Sequence, residues 1–256
     1  MKIAITRAVS PALASCELSF VHRETIDLAK ALAQHAAYNE ALRRAGCEVM
    51  QLPAEPAYPD SVFVEDTAIV LDEVAVITRP GAATRRGETD SIARALRAHR
   101  PLLALEAPAT LDGGDVMRVG RTLYVGESAR SNREGVAQLR ALLAPYGHAV
   151  ETIPIAGCLH LKSAVTPVDD GVLLVQPEWL DVAQLDGFTL IEVDPSEPHA
   201  ANALRIGDAV VYPDCFPRTL AKLVAAGIEV ITVDVSELQK AEGAVTCCSL
   251  VFESRG

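Results

Sequence analysis

What most limits the folding of this chain is a recurrence: two short apolar strands, an amphipathic helix, then a further strand. FVEDTAIV and VAVITRPG, separated by LDE, lead into the helix ETDSIARALRAH and the strand LLALEAP. DVMRVGRTLYVGE leads into SNREGVAQLRALLAPYG and HAVETIPI. SAVTPVDDGVLLVQP leads into a shorter helical stretch around EWLDVAQL and the strand FTLIEV, and NALRIGDAVVYPD into PRTLAKLVAAG and IEVITVDV. The hairpin turns carry Gly120, Asp169 to Gly171 and Gly207–Asp208, residues suited to tight turns. Thr89 or Asp90, and Ser131, are the expected helix caps; Gly147 and Gly227 are the expected stops. Four such units cover roughly residues 62 to 235. The ends supply a fifth: CCSLVF and KIAITRA can pair as strands, a helix over about residues 25–45 follows, and Gly46 precedes CEVMQLP. A repeat of this length indicates a solenoid, an array or a closed ring. Because both termini feed one unit, a closed ring is expected, which removes free sheet edges. No Ser/Gly/Pro linker divides the chain, so one α/β domain over residues 1–256 is predicted.

Composition narrows the function. A net charge of −11 over 256 residues argues against nucleic acid as a partner, since that needs a basic surface, and suits a small cationic ligand. No apolar run approaches the roughly 20 residues of a membrane span. MKIAITRAVS reads as a strand rather than a leader, because Arg7 interrupts it, so a cytoplasmic location is expected. The six cysteines include no C-x-x-C pair, which disfavours structural zinc and redox motifs.

Four segments are too polar for their apolar settings to be explained by packing alone. PDSVFVEDTAIV carries Glu65 and Asp66 in mid-run; TLDGGDVM places Asp112 and Asp115 beside paired glycines; CLHLKSAV holds His160 in a hydrophobic stretch. The fourth, VTCCSLVF, reads as a strand, which would turn Cys247 and Cys248 to opposite faces, one toward a cleft and one into the core. Singly these have ordinary explanations: solvated loop acids, an Asp-Gly turn, core histidine and core thiols. Jointly they suit thiol chemistry, in which a nearby imidazole assists the thiolate. Paired carboxylates can hold a planar guanidinium, so attack on a guanidinium carbon fits the set. Arginine-like molecules also carry an α-carboxylate, for which Arg85, Arg86 and Arg130 are the available cations.

Taken in order along the chain, YPDSVFVEDTAIV, ITRPGAATRRGE, TLDGGDVM, YVGESARSN, LHLKSAVT and TCCSLVF resemble the dimethylarginine dimethylaminohydrolase family of the guanidino-group-modifying (pentein) superfamily. The resemblance spans nearly the whole length. It implies a five-bladed α/β propeller of ββαβ modules, in agreement with the repeats. It also implies that Cys247, in the family's [ST]-C-x-S-L ending, is the nucleophile and His160 the general acid/base. Asp66 and Asp112 correspond to the acids that hold the guanidinium and orient the chemistry; Asp112 stands where some relatives carry the longer Glu. Asp60 and Glu65 correspond to substrate contacts, Arg85 and Arg130 to carboxylate-binding arginines, and the Ala241 carbonyl to a contact of the substrate amino group. Leu18 corresponds to a residue of a mobile lid, here the loop over about residues 11–23.

The implied reaction is hydrolysis of Nω-methylated arginine to citrulline and a methylamine through a covalent thiouronium, without metal or organic cofactor, in a monomer or homodimer. The nearest rival is an arginine deiminase, but those enzymes resemble a longer chain and carry His-x-Asp where this chain has His160-Leu161-Lys162. A non-catalytic propeller that binds a partner is the rival of another class. It has no need of thiol, imidazole and acids together, and labelling of one thiol by a haloacetamidine separates the two.

Overall fold

The recurrence in the sequence becomes five three-stranded sheets in the computed structural model, which describes residues 1–255. β1 (Lys2–Arg7) lies between β15 (Leu250–Glu253), antiparallel, and β2 (Cys47–Leu52), parallel. The other sheets repeat that plan. They are β3 (Ala68–Val70), β4 (Ala75–Ile77) and β5 (Leu102–Ala104); then β6 (Val116–Val119), β7 (Thr122–Glu127) and β8 (Ala149–Pro154). β9 (Val165–Asp169), β10 (Val172–Val175) and β11 (Thr189–Glu192) follow, then β12 (Leu204–Ile206), β13 (Ala209–Pro213) and β14 (Glu229–Val233). Each parallel pair needs a crossover. α1 (Leu28–Arg44), α2 (Thr89–Leu96), α3 (Arg133–Leu143) and α5 (Pro217–Ala225) supply four, while the crossover from β10 to β11 carries only a 3₁₀ turn at Val182–Leu185.

The ring closes through the two ends of the chain. β15 packs on β3, β6 on β9 and β9 on β12, and residues of all five leading strands line a central cavity of about 370 Å³. Burial on both sides makes these strands short and apolar, and five clusters of buried side chains fill the spaces between sheets and helices. This is the α/β propeller expected from the repeats, with the termini completing one module.

Three local expectations give way. Ser131 is not the cap of α3: Asn132 accepts from the Gly135 N–H, while Ser131 Oγ donates to Asp115. Neither Thr89 nor Asp90 caps α2, which continues directly from a 3₁₀ helix at Ala83–Glu88. Most consequentially, VTCCSLVF is not a strand throughout. Pairing with β1 reaches Leu250 and stops, and residues 245–248 form a turn. The ladder is lost because other partners take the turn's polar groups. Tyr38, buried in α1, donates its hydroxyl to Val245 O (2.7 Å) and accepts from Ser249 Oγ (2.7 Å).

Candidate active site

The turn before β15 delivers Cys247 to one end of the ring. Its N–H donates to Ala244 O (3.2 Å) and its carbonyl accepts from the Glu65 N–H (3.1 Å), so the backbone is held on both sides. Burial, followed by the neighbouring Glu65 and Asp66 carboxylates, pushes the Cys247 thiol up to about 12. Cys248 faces the core with no exposure, its thiol donating to Ala244 O (3.6 Å). The two cysteines do occupy different environments, through a turn rather than strand alternation.

His160 precedes α4 (Leu161–Ala164), a single turn that an acid holds in place. Asp115 accepts from the Leu161 N–H (3.0 Å), Ser128 Oγ (2.5 Å) and Ser131 Oγ (2.6 Å), which satisfies a fully buried carboxylate and fixes the segment. Asp112 in turn orients the ring: His160 Nε2 lies 3.0 Å from Asp112 Oδ2, and the Gly81 N–H donates to Asp112 Oδ1 (2.8 Å). Burial disfavours the imidazolium, but Asp66, the Asp112 hydrogen bond and Asp115 outweigh it and raise His160 to about 9. Its charged form is therefore the resting form near neutral pH.

Gly114 makes this approach possible, since a Cβ there would lie 2.5 Å from His160 Nδ1 and 2.8 Å from Asp66 Oδ1. Gly114→Ala is expected to displace the imidazole and lower kcat by about 10²-fold or more. Steady-state kinetics on the folded variant checks this, and retention of wild-type kcat would contradict it.

Asp66 sits across from His160, its Oδ1 3.9 Å from His160 Nδ1, and accepts from the Gly114 N–H (2.9 Å). Its other oxygen takes Arg85 Nη1 (2.5 Å). Burial alone would raise Asp66, yet the charges of His160 and Arg85 hold it below the usual carboxylate range. Arg85 is largely committed: Nε and Nη2 donate to Glu88, and Nη2 also reaches the Asp60 and Phe63 carbonyls. Of its five N–H groups, one on Nη1 has no protein acceptor among the described residues. Arg130 is less constrained, its Nη2 donating to Ser19 Oγ (3.1 Å). Arg86 turns away and donates to Pro80 O.

A small cavity joins these groups. Cys247, His160, Asp66, Asp60, Arg85, Arg130 and Ala241 all line it, so seven of the residues singled out in the sequence converge on one space. Three do not. Asp112 stands behind His160 with no exposure, and Leu18 packs on the cluster around α1. Glu65 points to the central cavity instead, where it pairs with Lys162 and accepts from Thr246 Oγ1 (2.8 Å). The sequence reading missed Glu17, Phe63, Leu159 and Glu242, which complete the lining.

The loop over the cavity is closed by named contacts. The Glu17 N–H donates to both Asp60 oxygens (3.3 and 3.2 Å), and Glu242 Oε1 accepts from the N–H groups of Ser19, Phe20 and Val21. Glu242 does so from a left-handed conformation (φ 58°), uncommon for a side chain of this size. Among the described residues, Asp66, Asp112 and His160 form the one cluster compact enough to bind a metal ion. Their polar atoms are already engaged with Gly114, Arg85, Gly81 and one another.

The model for eukaryotic N,N-dimethylarginine dimethylhydrolase matches residues 16–253. The N(G),N(G)-dimethylarginine dimethylaminohydrolase of Streptomyces coelicolor is 41% identical over 97% of this chain and 96% of its own length. That of Pseudomonas aeruginosa is 39% identical over 92% and 93%. The chain belongs to the dimethylarginine dimethylaminohydrolase family. It is accordingly a hydrolase of C–N bonds with the pentein fold.

Two solved dimethylarginine dimethylaminohydrolase structures superpose closely. A cysteine-to-serine variant from P. aeruginosa complexed with citrulline gives a TM-score of 0.93 at 37% identity, covering 97% of this chain and 98% of that one. A histidine-to-glycine variant in adduct with S-methyl-L-thiocitrulline gives 0.95 at 38%, covering 98% and 100%. No helix among the described residues is long and apolar enough to cross a membrane.

Proposed function

We propose that the protein hydrolyses Nω-methylated L-arginine to L-citrulline and dimethylamine or methylamine, with Cys247 as nucleophile and His160 as acid and base. The observation that carries this reading is the shared cavity, whose lining brings the Cys247 thiol, the His160 imidazole and Asp66 together with Asp60, Arg130 and Ala241. Asp66 pairs with the guanidinium; Asp112 acts through His160, which it orients. Asp60 and the Ala241 carbonyl receive the α-ammonium and Arg130 the α-carboxylate.

The resting thiol is protonated, and the bound cation draws it toward thiolate by charge attraction in a dry site. Its proton goes to solvent. The sulfur attacks the guanidinium carbon, His160 protonates the methylated nitrogen, and the C–N bond breaks to give free amine and a cationic thiouronium. Neutral His160 then takes a proton from water as the oxygen attacks. Collapse expels the sulfur, which takes up the hydroxyl proton and returns to thiol, and leaves citrulline. The deciding experiment measures citrulline and amine from asymmetric dimethylarginine, monomethylarginine and arginine side by side. Equimolar citrulline and dimethylamine is the expected result. Ammonia from arginine alone would support a deiminase, and no turnover with no thiol labelling would support a binding protein.

Arg130→Ala is expected to raise KM by about 10- to 100-fold, the worth of a charge-assisted hydrogen bond, with a smaller change in kcat. Arg85→Ala should lower kcat as well, because it releases Asp66 and Glu88 from their common partner. Saturation curves for the two variants test the contrast, and matched behaviour would return Arg85 to the carboxylate end.

A further inference from the structure

We infer that Asn202 is a positioning residue that sets the separation of the two reacting side chains, by tying the turn of Cys247 to the segment of His160. Its side chain, 5% exposed, sits just before β12. Nδ2 donates to Lys162 O (2.8 Å) in α4 and to Thr246 Oγ1 (3.0 Å), and Oδ1 accepts from the Thr246 N–H (3.1 Å). Lys162 is two residues beyond His160 and Thr246 is the residue before Cys247. One planar amide therefore spans both catalytic elements, with both its donors and its acceptor used.

The anchor itself is rigid. On either side of Asn202, Thr166 Oγ1 donates to Ala201 O (2.6 Å) and accepts from the Ala203 N–H (3.0 Å), with Thr166 fully buried in β9. The other link between the same elements runs from Lys162 through Glu65 to Thr246, and depends on two long side chains. A short amide on a fixed backbone constrains distance better than a flexible ion pair. Asn202 does not line the catalytic cavity, so it contributes through geometry and not by contact with substrate. A displacement of about 1 Å between reacting groups is enough to cost about 10²-fold in rate.

This rests on the proposed hydrolysis, and the experiment keeps the two separable. Asn202→Ala removes all three of its own hydrogen bonds and leaves the Lys162–Glu65–Thr246 link. Asn202→Asp keeps the volume and the acceptor for Thr246 but loses both donors. Both variants are expected to show kcat lowered about 10- to 100-fold per site titrated with a haloacetamidine, with KM within about threefold of wild type. Hydrogen exchange, which needs no turnover, should accelerate at residues 160–164 and 245–248 and stay unchanged across the five sheets. Wild-type kcat per titrated site in both variants, or protection lost evenly over the whole fold, would overturn the assignment. Absence of methylarginine hydrolysis by the wild-type protein would remove the proposed function, while the exchange result would still decide whether Asn202 holds the two elements.

Discussion

Cys247→Ser should reduce turnover on the order of 10⁴-fold or more, whereas Cys248→Ser should stay within a few-fold of wild type. The two thiols are adjacent in sequence, but Cys247 is half-buried where Cys248 is fully buried. Cys247 opens onto the cavity with His160 and Asp66, and Cys248 points into the cluster around α1. A serine hydroxyl at Cys247 lacks the nucleophilicity to add to a resonance-stabilised guanidinium, and the bound cation cannot bring an alcohol within reach of ionisation at neutral pH. At Cys248 the new hydroxyl inherits the acceptor Ala244 O, so its cost is one of packing and partial desolvation, about 1 kcal/mol. Turnover, denaturant unfolding and mass spectrometry of the trapped adduct decide the matter together. An adduct on Cys248, or an active Cys247→Ser enzyme, would remove Cys247 from the mechanism.

The contrast between these cysteines also shows where sequence reading succeeds and where it stops. The propeller was legible because most modules repeat the same local signals: strand periodicity, a tight turn between antiparallel strands, and an amphipathic helix. The path of residues 245–248 was not, because VTCCSLVF has the composition of a strand. What removes it from the ladder are side chains far away in sequence: Asn202, Tyr38 and Glu65. Glu65 and Asp66 illustrate the same limit. Adjacent in sequence, they look like one acidic pair, but the 3₁₀ turn at Val64–Thr67 sends Asp66 to the cavity shared with Cys247 and His160 and Glu65 to the central one. Asp112 and Asp115 were visible as acids out of place, while their division of labour, one on the imidazole and one on the helix that follows it, depends on tertiary contacts. Glu242 gave no signal at all, since its role depends on a backbone conformation and on N–H groups more than 220 residues away.

His160→Ala should lower kcat by about 10²- to 10⁴-fold with a much smaller change in KM, because in the proposed mechanism the imidazole acts on the leaving nitrogen and on water and not on the substrate's amino-acid end. The pH dependence gives a sharper test. In the free enzyme both groups are protonated at neutral pH, with His160 near 9 and Cys247 near 12. The reacting form, imidazolium beside thiolate, has lost one proton from that state. Wild-type kcat/KM should therefore rise about tenfold per pH unit through the neutral range and level off near 9, a limb that belongs to the pair jointly. His160→Ala removes the first ionisation, so its residual kcat/KM should continue to rise past pH 9, following Cys247 alone. Stability supplies an independent sign. The folded His160 is raised above its unfolded value near 6.5, so its contribution is complete below that pH and lost as pH rises through about 9. The wild-type melting temperature should fall over that window relative to the His160→Ala protein. A wild-type profile flat from pH 6 to 8, together with a variant that levels off at the same pH, would show that the imidazole is neither the proton donor nor charged at rest.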